Sequence, residues 1–176
     1  LNKKLAPFQI LTGTEVDIKP DGTLDFDEKI LRELDVVVAS VHTKFTQNKD
    51  EMTERIIKAM QNKYVNIIGH LSGRIIGQRP ANQIDFERIL KEAKNTGTFL
   101  EINSHPDRLD ITDLQARAAK EQGMLIPINT DAHHKVLLAD ISFGIITARR
   151  GWLEKKDVLN ALPYKELITK LYQKRK

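Results

Sequence analysis

Apolar residues along this chain gather in short runs separated by stretches of a slower rhythm. Five runs rich in Val, Ile, Leu and Phe follow one another, "FQILTGTEVDI", "DVVVASVH", "YVNIIGH", "TFLEIN" and "MLIPINTDAH", and each has the length and composition of a strand. Between them the apolar positions recur every third or fourth residue. "DEMTERIIKAM" places Met52, Ile56 and Met60 on one helical face, and "IDFERILKEAKNTG" does the same with Phe86, Ile89, Leu90 and Ala93 before Gly97 as a C-terminal stop. "ITDLQARAAKEQG" opens on Thr112 and Gln115, a capping-box pair, and closes at Gly123. A sixth apolar run, "FGIITARR", predicts one more strand, and "WLEKKDVLNALPYKELITKLYQ" predicts one or two terminal helices broken near Pro163. Tyr64 and Trp152 are expected in the core.

Strand alternating with helix predicts an α/β fold whose parallel strands are joined by right-handed helical crossovers, either an open sheet or a barrel. Both arrangements put their chemistry at the carboxyl ends of the strands. The polar residues that end the runs are regularly placed: Glu15, His42, His70, Asn103 and Asp131 stand 27, 28, 33 and 28 residues apart, close to one strand-helix unit each time. All would share one rim. A closed or curved sheet gathers them around a common centre, and a barrel is the expectation on that ground.

A single histidine after an apolar strand is ordinarily a hydrogen-bonded rim residue. The set is harder to explain by packing, because burying several titratable groups together is costly without a compensating partner. A metal cation is such a partner. Glu15, His42, His70, Asp131 and His133 are therefore the candidate metal ligands, with Asn103 expected to orient a ligand instead of binding metal. His134 reads as a solvated loop residue, and His105 stays open between that and the mouth of the site. Arg74, Arg79, Arg108 and Arg149 follow strand ends and are candidates for holding phosphate oxygens.

Composition narrows the chemistry. The 176 residues hold no cysteine, which removes disulfides, thiolate metal sites and cysteine nucleophiles. Imidazole and carboxylate remain, donors that suit manganese, zinc or iron. "GQRPANQ" lacks the spacing of a phosphate-cradling loop, and there is no serine-centred nucleophile motif. With 40% hydrophobic residues and 30% charged, the chain reads as one domain over residues 1–176. No stretch offers the roughly 18 consecutive apolar residues of a membrane span, and the N-terminal "LNKKLAPFQI" has no signal-peptide pattern; the reading is cytoplasmic with no membrane partner. The net charge of +4 points only weakly to a polyanion, because seven of the lysines and arginines lie after residue 154, toward the tail "LYQKRK". Aromatics at 6% offer no run for stacking single-stranded bases, so contact with DNA would rest on phosphate.

Six of these segments, "GTEVDIKPDGTLDF", "DVVVASVH", "NIIGHLSGR", "LEINSHPDRLD", "INTDAH" and "GIITARRGWL", occur in the order of the motifs of the PHP (polymerase and histidinol phosphatase) domain. The chain resembles the form of that domain carried at the C-terminal end of bacterial family X DNA polymerases. The resemblance implies a distorted, TIM-like (β/α)7 barrel, up to three manganese or zinc ions, and hydrolysis of phosphate esters, with a 3'-5' exonuclease activity on DNA in repair. It implies Glu15 bridging two metals, His42 and His70 completing one of those sites, Asp131 serving the other and His133 a third. Glu15, Asp131 and His133 then count as catalytic, and Arg74, Arg108 and Arg149 as binding the substrate. A small-molecule phosphatase of the histidinol-phosphate kind, and a non-catalytic module supporting the polymerase, are the alternatives.

The family pattern begins with an HxH strand, a further ligand and a TDH strand, and none of these precedes "LNKKLAPFQI". The expectation is an incomplete barrel lacking its first strands and several ligands, with little nuclease activity alone and no polymerase domain. Uncovered strand edges of that kind favour a homo-oligomer, and in the full-length protein the partners would be DNA and a polymerase domain in cis.

Overall fold

The computed structural model describes residues 1–175; Lys176, the last residue of the basic tail, lies outside the described residues. Among the described residues six strands, β1 (Gly13–Asp17), β2 (Val36–Ser40), β3 (Ile67–Ile68), β4 (Phe99–Leu100), β5 (Ile102–Asn103) and β6 (Ile128–Asn129), are interspersed with helices, β5 following β4 directly. The helices are α1 (Asn2–Leu5), α2 (Glu28–Arg32), α3 (Lys49–Gln61), α4 (Phe86–Thr96), α5 (Asp113–Glu121), α6 (Ile141–Arg150) and α7 (Tyr164–Tyr172). β1 to β4 form one parallel sheet in sequence order, and β5 pairs in parallel with β6 in a second. The two meet at Glu101, where the chain passes from one to the other: the Glu101 amide still donates to Ile68 O (3.1 Å), while that of Ile102 donates to Pro127 O (2.9 Å). The sheets do not close, so among the described residues the expected barrel is an open α/β arc.

The helices α3, α4 and α5 form where the sequence rhythm places them. Asn48 and Glu51 cap α3 reciprocally, and Thr112 and Gln115 do the same for α5, each pair satisfying amides that have no partner inside the helix. Asp85 caps α4 at its start, and Gly97 ends it in the left-handed conformation, φ 69°, where a residue without Cβ is unstrained. Met52, Ile56 and Met60 of α3 and Ile89, Leu90 and Ala93 of α4 pack with Val16, Val37, Ala39, Ile68, Leu100 and Ile102 in the main core.

Side chains alternate across a strand, so the opposite face of the sheet carries the intervening residues. At the amino ends of its strands that face is apolar: Val36, Val38, Ile67 and Phe99 pack with Leu159, Leu162, Leu167, Ile168 and Leu171, which belong to α7 and the short turns before it. At the carboxyl ends it is polar, with Glu15, Glu101, Asn129 and Asp131 lining one cavity together with His70.

Three expectations need correction. "FGIITARR" is not a strand but α6. Its buried face is made of Gly144, Thr147 and Ala148, at helical spacing, while the large β-branched and aromatic residues Phe143, Ile145 and Ile146 are exposed; the apolar residues read as a strand's interior are the helix's outside. The stretch after Trp152 holds two short 3-10 turns (Lys155–Asp157 and Leu159–Ala161) before α7, with Pro163 preceding the first turn of that helix. Trp152 is 64% exposed, held under the Arg117 guanidinium at 3.8 Å, whereas Tyr64 is buried as expected.

Candidate metal centre

Glu15 sits in β1, paired in register with Val38 of β2. His42 follows the end of β2, and His70 follows β3 after Gly69. A side chain at residue 69 would place its Cβ 2.5 Å from Ser40 Oγ and 2.8 Å from Val38 Cγ1, so the close approach of β3 to β2 that delivers His70 requires glycine. His70 itself is held at φ 26°, in the left-handed region.

These three residues converge. One ligand atom from each of Glu15, His42 and His70 lies within 4.8 Å of the others. His70 Nε2 is 3.1 Å and His42 Nε2 3.6 Å from Glu15 Oε1, and the two rings meet edge-on with centroids 5.1 Å apart. His42 Nδ1 is 2.6 Å from Asp17 Oδ1; with the proton on Nδ1, that contact fixes the ring and leaves Nε2 free to face Glu15. The loop that carries His42 is tied down by buried Arg55, which donates through Nη1 to Thr43 O and Gln47 Oε1, both at 2.9 Å, and through Nε to Ile18 O at 3.1 Å.

The hydrogen bond from His70 holds the Glu15 carboxyl down at about 2, with Ser40 and the charge of His42 acting in the same direction against the cost of burial. Burial works most strongly against a charged His70, but its hydrogen bond to Glu15 and the negative charges of Glu15 and Glu101 together outweigh it and raise its pKa. His70 is only 3% exposed, and its Nδ1 has no partner among the described residues. A carboxylate and two imidazoles within reach of one another, one imidazole buried and half-satisfied, are a donor set that fits a divalent cation such as manganese or zinc.

Asp131 lines the same cavity of about 320 Å³. Its backbone is left-handed, φ 53°, its Oδ2 accepts from Asn103 Nδ2 at 3.3 Å, and the Arg108 Nε lies 3.7 Å away. His133 is not brought into the Glu15 cluster: its side chain is 83% exposed, with Nδ1 2.8 Å from Asp131 O. His134 is an exposed loop residue whose Nδ1 accepts from Val136 N. The His105 amide donates to Asn103 Oδ1 (3.0 Å), and its ring accepts from Asp107 N.

The arginines divide. Arg108, largely buried, stands beside Asp131 with its Nη1 unpartnered among the described residues. Arg74 is spent on the carbonyls of Arg108 and Leu109 and so supports the loop that presents Arg108. Arg79 lies over the Phe45 ring and donates to Gly73 O. Arg149 lines a different, mostly apolar cavity with Ile128, Ile145 and Leu153.

Asp17, Glu101 and Asn129 belong to the site and escape an inspection of strand ends alone. Each stands two residues from a residue that such an inspection does find (Glu15, Asn103 and Asp131) and so shares its face. Glu101 is buried, and burial raises its pKa against the hydrogen bonds that favour its charged form, that from Asn129 foremost.

Fold and site together define the class: a parallel α/β domain with a His/Glu cluster, able to hold a metal ion, at the carboxyl rim of its strands. The relatives make this more particular. No family model matches the chain. It is 44% identical over 167 residues to the DNA polymerase/3'-5' exonuclease PolX of Bacillus subtilis strain 168, a match covering 95% of this chain and 29% of that protein. It is 38% identical over 143 residues to a probable phosphatase of Thermoanaerobacter sp. strain X514 (76% of this chain, 56% of that protein). It is 36% identical over 141 residues to a probable phosphatase of Caldanaerobacter subterraneus subsp. tengcongensis (74% and 53%). The chain is thus similar to one part of a DNA polymerase/3'-5' exonuclease and to proteins named as probable phosphatases. It spans about half the length of the phosphatases it matches and less than a third of the polymerase.

Proposed function

We propose that this domain is a metal-dependent phosphodiesterase that removes nucleotides from the 3' end of DNA, as one part of a longer chain that also carries a polymerase domain. The observation that carries the reading is the convergence of Glu15, His42 and His70 at the carboxyl ends of adjacent parallel strands. The PolX relative, similar over nearly the whole chain, supports the choice of diester over monoester. In this reading the open arc is part of a distorted (β/α)7 barrel.

Glu15, His42 and His70 would hold the metal, and Asp131 and His133 are assigned to neighbouring ions. Manganese or zinc bound there would neutralise phosphate charge and make a water acidic enough to attack phosphorus. The protein's own groups do the rest. Asp17 fixes the His42 ring so that Nε2 faces inward. Arg108, with an Nη1 hydrogen-bonding group to spare beside Asp131, offers a charged donor to a phosphate oxygen, and Arg74 keeps the Arg108 backbone in place. The apolar floor of Val36, Val38 and Ile67 limits water below the cluster.

The test is manganese binding by calorimetry, followed by hydrolysis of bis(p-nitrophenyl) phosphate and p-nitrophenyl phosphate. The expected result is a stoichiometric site that His70→Ala abolishes, with manganese-dependent turnover that is slow in this chain alone and faster for the diester than for the monoester. Binding unaffected by His70→Ala would overturn the metal assignment, and a monoester preference would overturn the diester one.

A further inference from the structure

We infer that Glu101 is a positioning residue of the metal centre, a buried carboxylate that holds the His70 and Asp131 sides of the cavity in one arrangement through hydrogen bonds. The inference rests on the metal reading above and adds a residue to it. Glu101 stands at the break between β4 and β5, 4% exposed, and every group that meets its carboxylate is a donor. Its Oε2 accepts from the His70 amide at 2.8 Å and from Asn103 Nδ2 at 3.2 Å, and its Oε1 accepts from Asn129 Nδ2 at 2.8 Å.

The first of these bonds acts on the backbone. His70 is at φ 26°, a conformation a residue with a Cβ keeps only when its surroundings hold it there. The Glu101 oxygen on its amide is such a hold, and the backbone so fixed directs Nε2 to Glu15 Oε1. The Asn103 amide group, shared between Glu101 Oε2 and Asp131 Oδ2 (3.2 and 3.3 Å), carries the same constraint to Asp131, the other residue of the cavity with a left-handed backbone. One carboxylate thus reaches candidate ligands delivered by two different sheets. The break in the strand is what turns Glu101 toward both.

A residue of this kind needs acceptors, and its substitutions sort accordingly. Glu101→Met keeps length and volume and strands three donors. Glu101→Gln keeps one acceptor for the His70 amide, with the Asn129 amide able to turn and face the new NH2. In Glu101→Met, manganese affinity is expected to fall about tenfold or more, as for other groups that orient ligands, and the His70 amide is expected to lose its protection from hydrogen exchange. Glu101→Gln is expected to restore both in large part. A folded Glu101→Met protein that binds manganese as the wild type does, or keeps the His70 amide equally protected, would overturn the inference. Should Glu101→Met not fold, the wild-type protein decides by NMR: a through-hydrogen-bond coupling from the His70 amide nitrogen to the Glu101 side-chain carboxylate carbon supports the inference, and its absence refutes it. A wild type that shows the coupling but binds no manganese overturns the metal reading, and the inference with it, while the Glu101 hydrogen bond stands, so the two failures are told apart.

Discussion

His42 and His70 both face Glu15, yet they are held by different means. His70 is buried, its backbone strained and its amide tied to Glu101. His42 is more than a third exposed and depends on one short contact with Asp17. Removing that contact by Asp17→Ala frees the ring without opening the core. We predict a loss of about tenfold in manganese affinity with a urea midpoint close to the wild type, measured by calorimetry and denaturation. The outward position of His133 yields a contrasting expectation: His133→Ala leaves the affinity of the Glu15, His42 and His70 site unchanged, and a large loss there would show that the loop folds inward around the ion.

At the scale of elements, α6 is the most revealing. It follows the Asp131 loop and lies on β5 and β6 through small residues, and a Cβ at Gly144 would fall 2.0 Å from Ser104 Oγ and 2.6 Å from Ile128 Cγ2. Gly144→Ala should therefore destabilise the domain by about 2 kcal/mol, the cost of overpacking, despite the better helix propensity of alanine. Ile146→Ala, on the exposed side, should change stability by no more than about 0.5 kcal/mol. Urea denaturation of both variants checks the assignment, and a reversed order would mean that the apolar face is the buried one after all. The same inversion explains why this helix is illegible in sequence: a run of Phe, Ile and Thr satisfies a strand template, and only contact with the sheet makes Gly144, Thr147 and Ala148 the inner face. By contrast α3, α4 and α5 carry their own caps and apolar stripes, and these depend on residues a few positions apart.

In the whole molecule, the end of the chain closes the floor of the arc. Asn66 Nδ2 donates to Leu171 O at 2.6 Å, and the Lys174 ammonium group donates to Val65 O (3.0 Å) and Thr98 Oγ1 (2.7 Å), and to Met60 O. Burial there lowers the Lys174 pKa from 10.5 to about 8. Between those two values the unfolded chain holds a proton that the folded chain does not, so stability rises with pH across that window. Below about pH 8 both states are charged and the contribution is constant, at its least favourable. Thermal melts across the window should show that rise in the wild type and lose it in Lys174→Met; a slope unchanged by the substitution would assign the effect to another group.

What the sequence determined by itself was the local and the repetitive: the alternation of strand and helix, the cap at Thr112, the stop at Gly97, and donors of metal-ligand type recurring at strand ends. These follow from period and neighbour chemistry, which act over a few residues. Tertiary structure decided which donors meet. It brought Glu15, His42 and His70 within reach of one another, left His133 in solvent, spent Arg74 on carbonyls, and placed Glu101 where two sheets join. Such choices depend on sheet curvature, on the close packing at Gly69 and Gly144, and on hydrogen bonds between residues some thirty positions apart, and no local pattern encodes any of them.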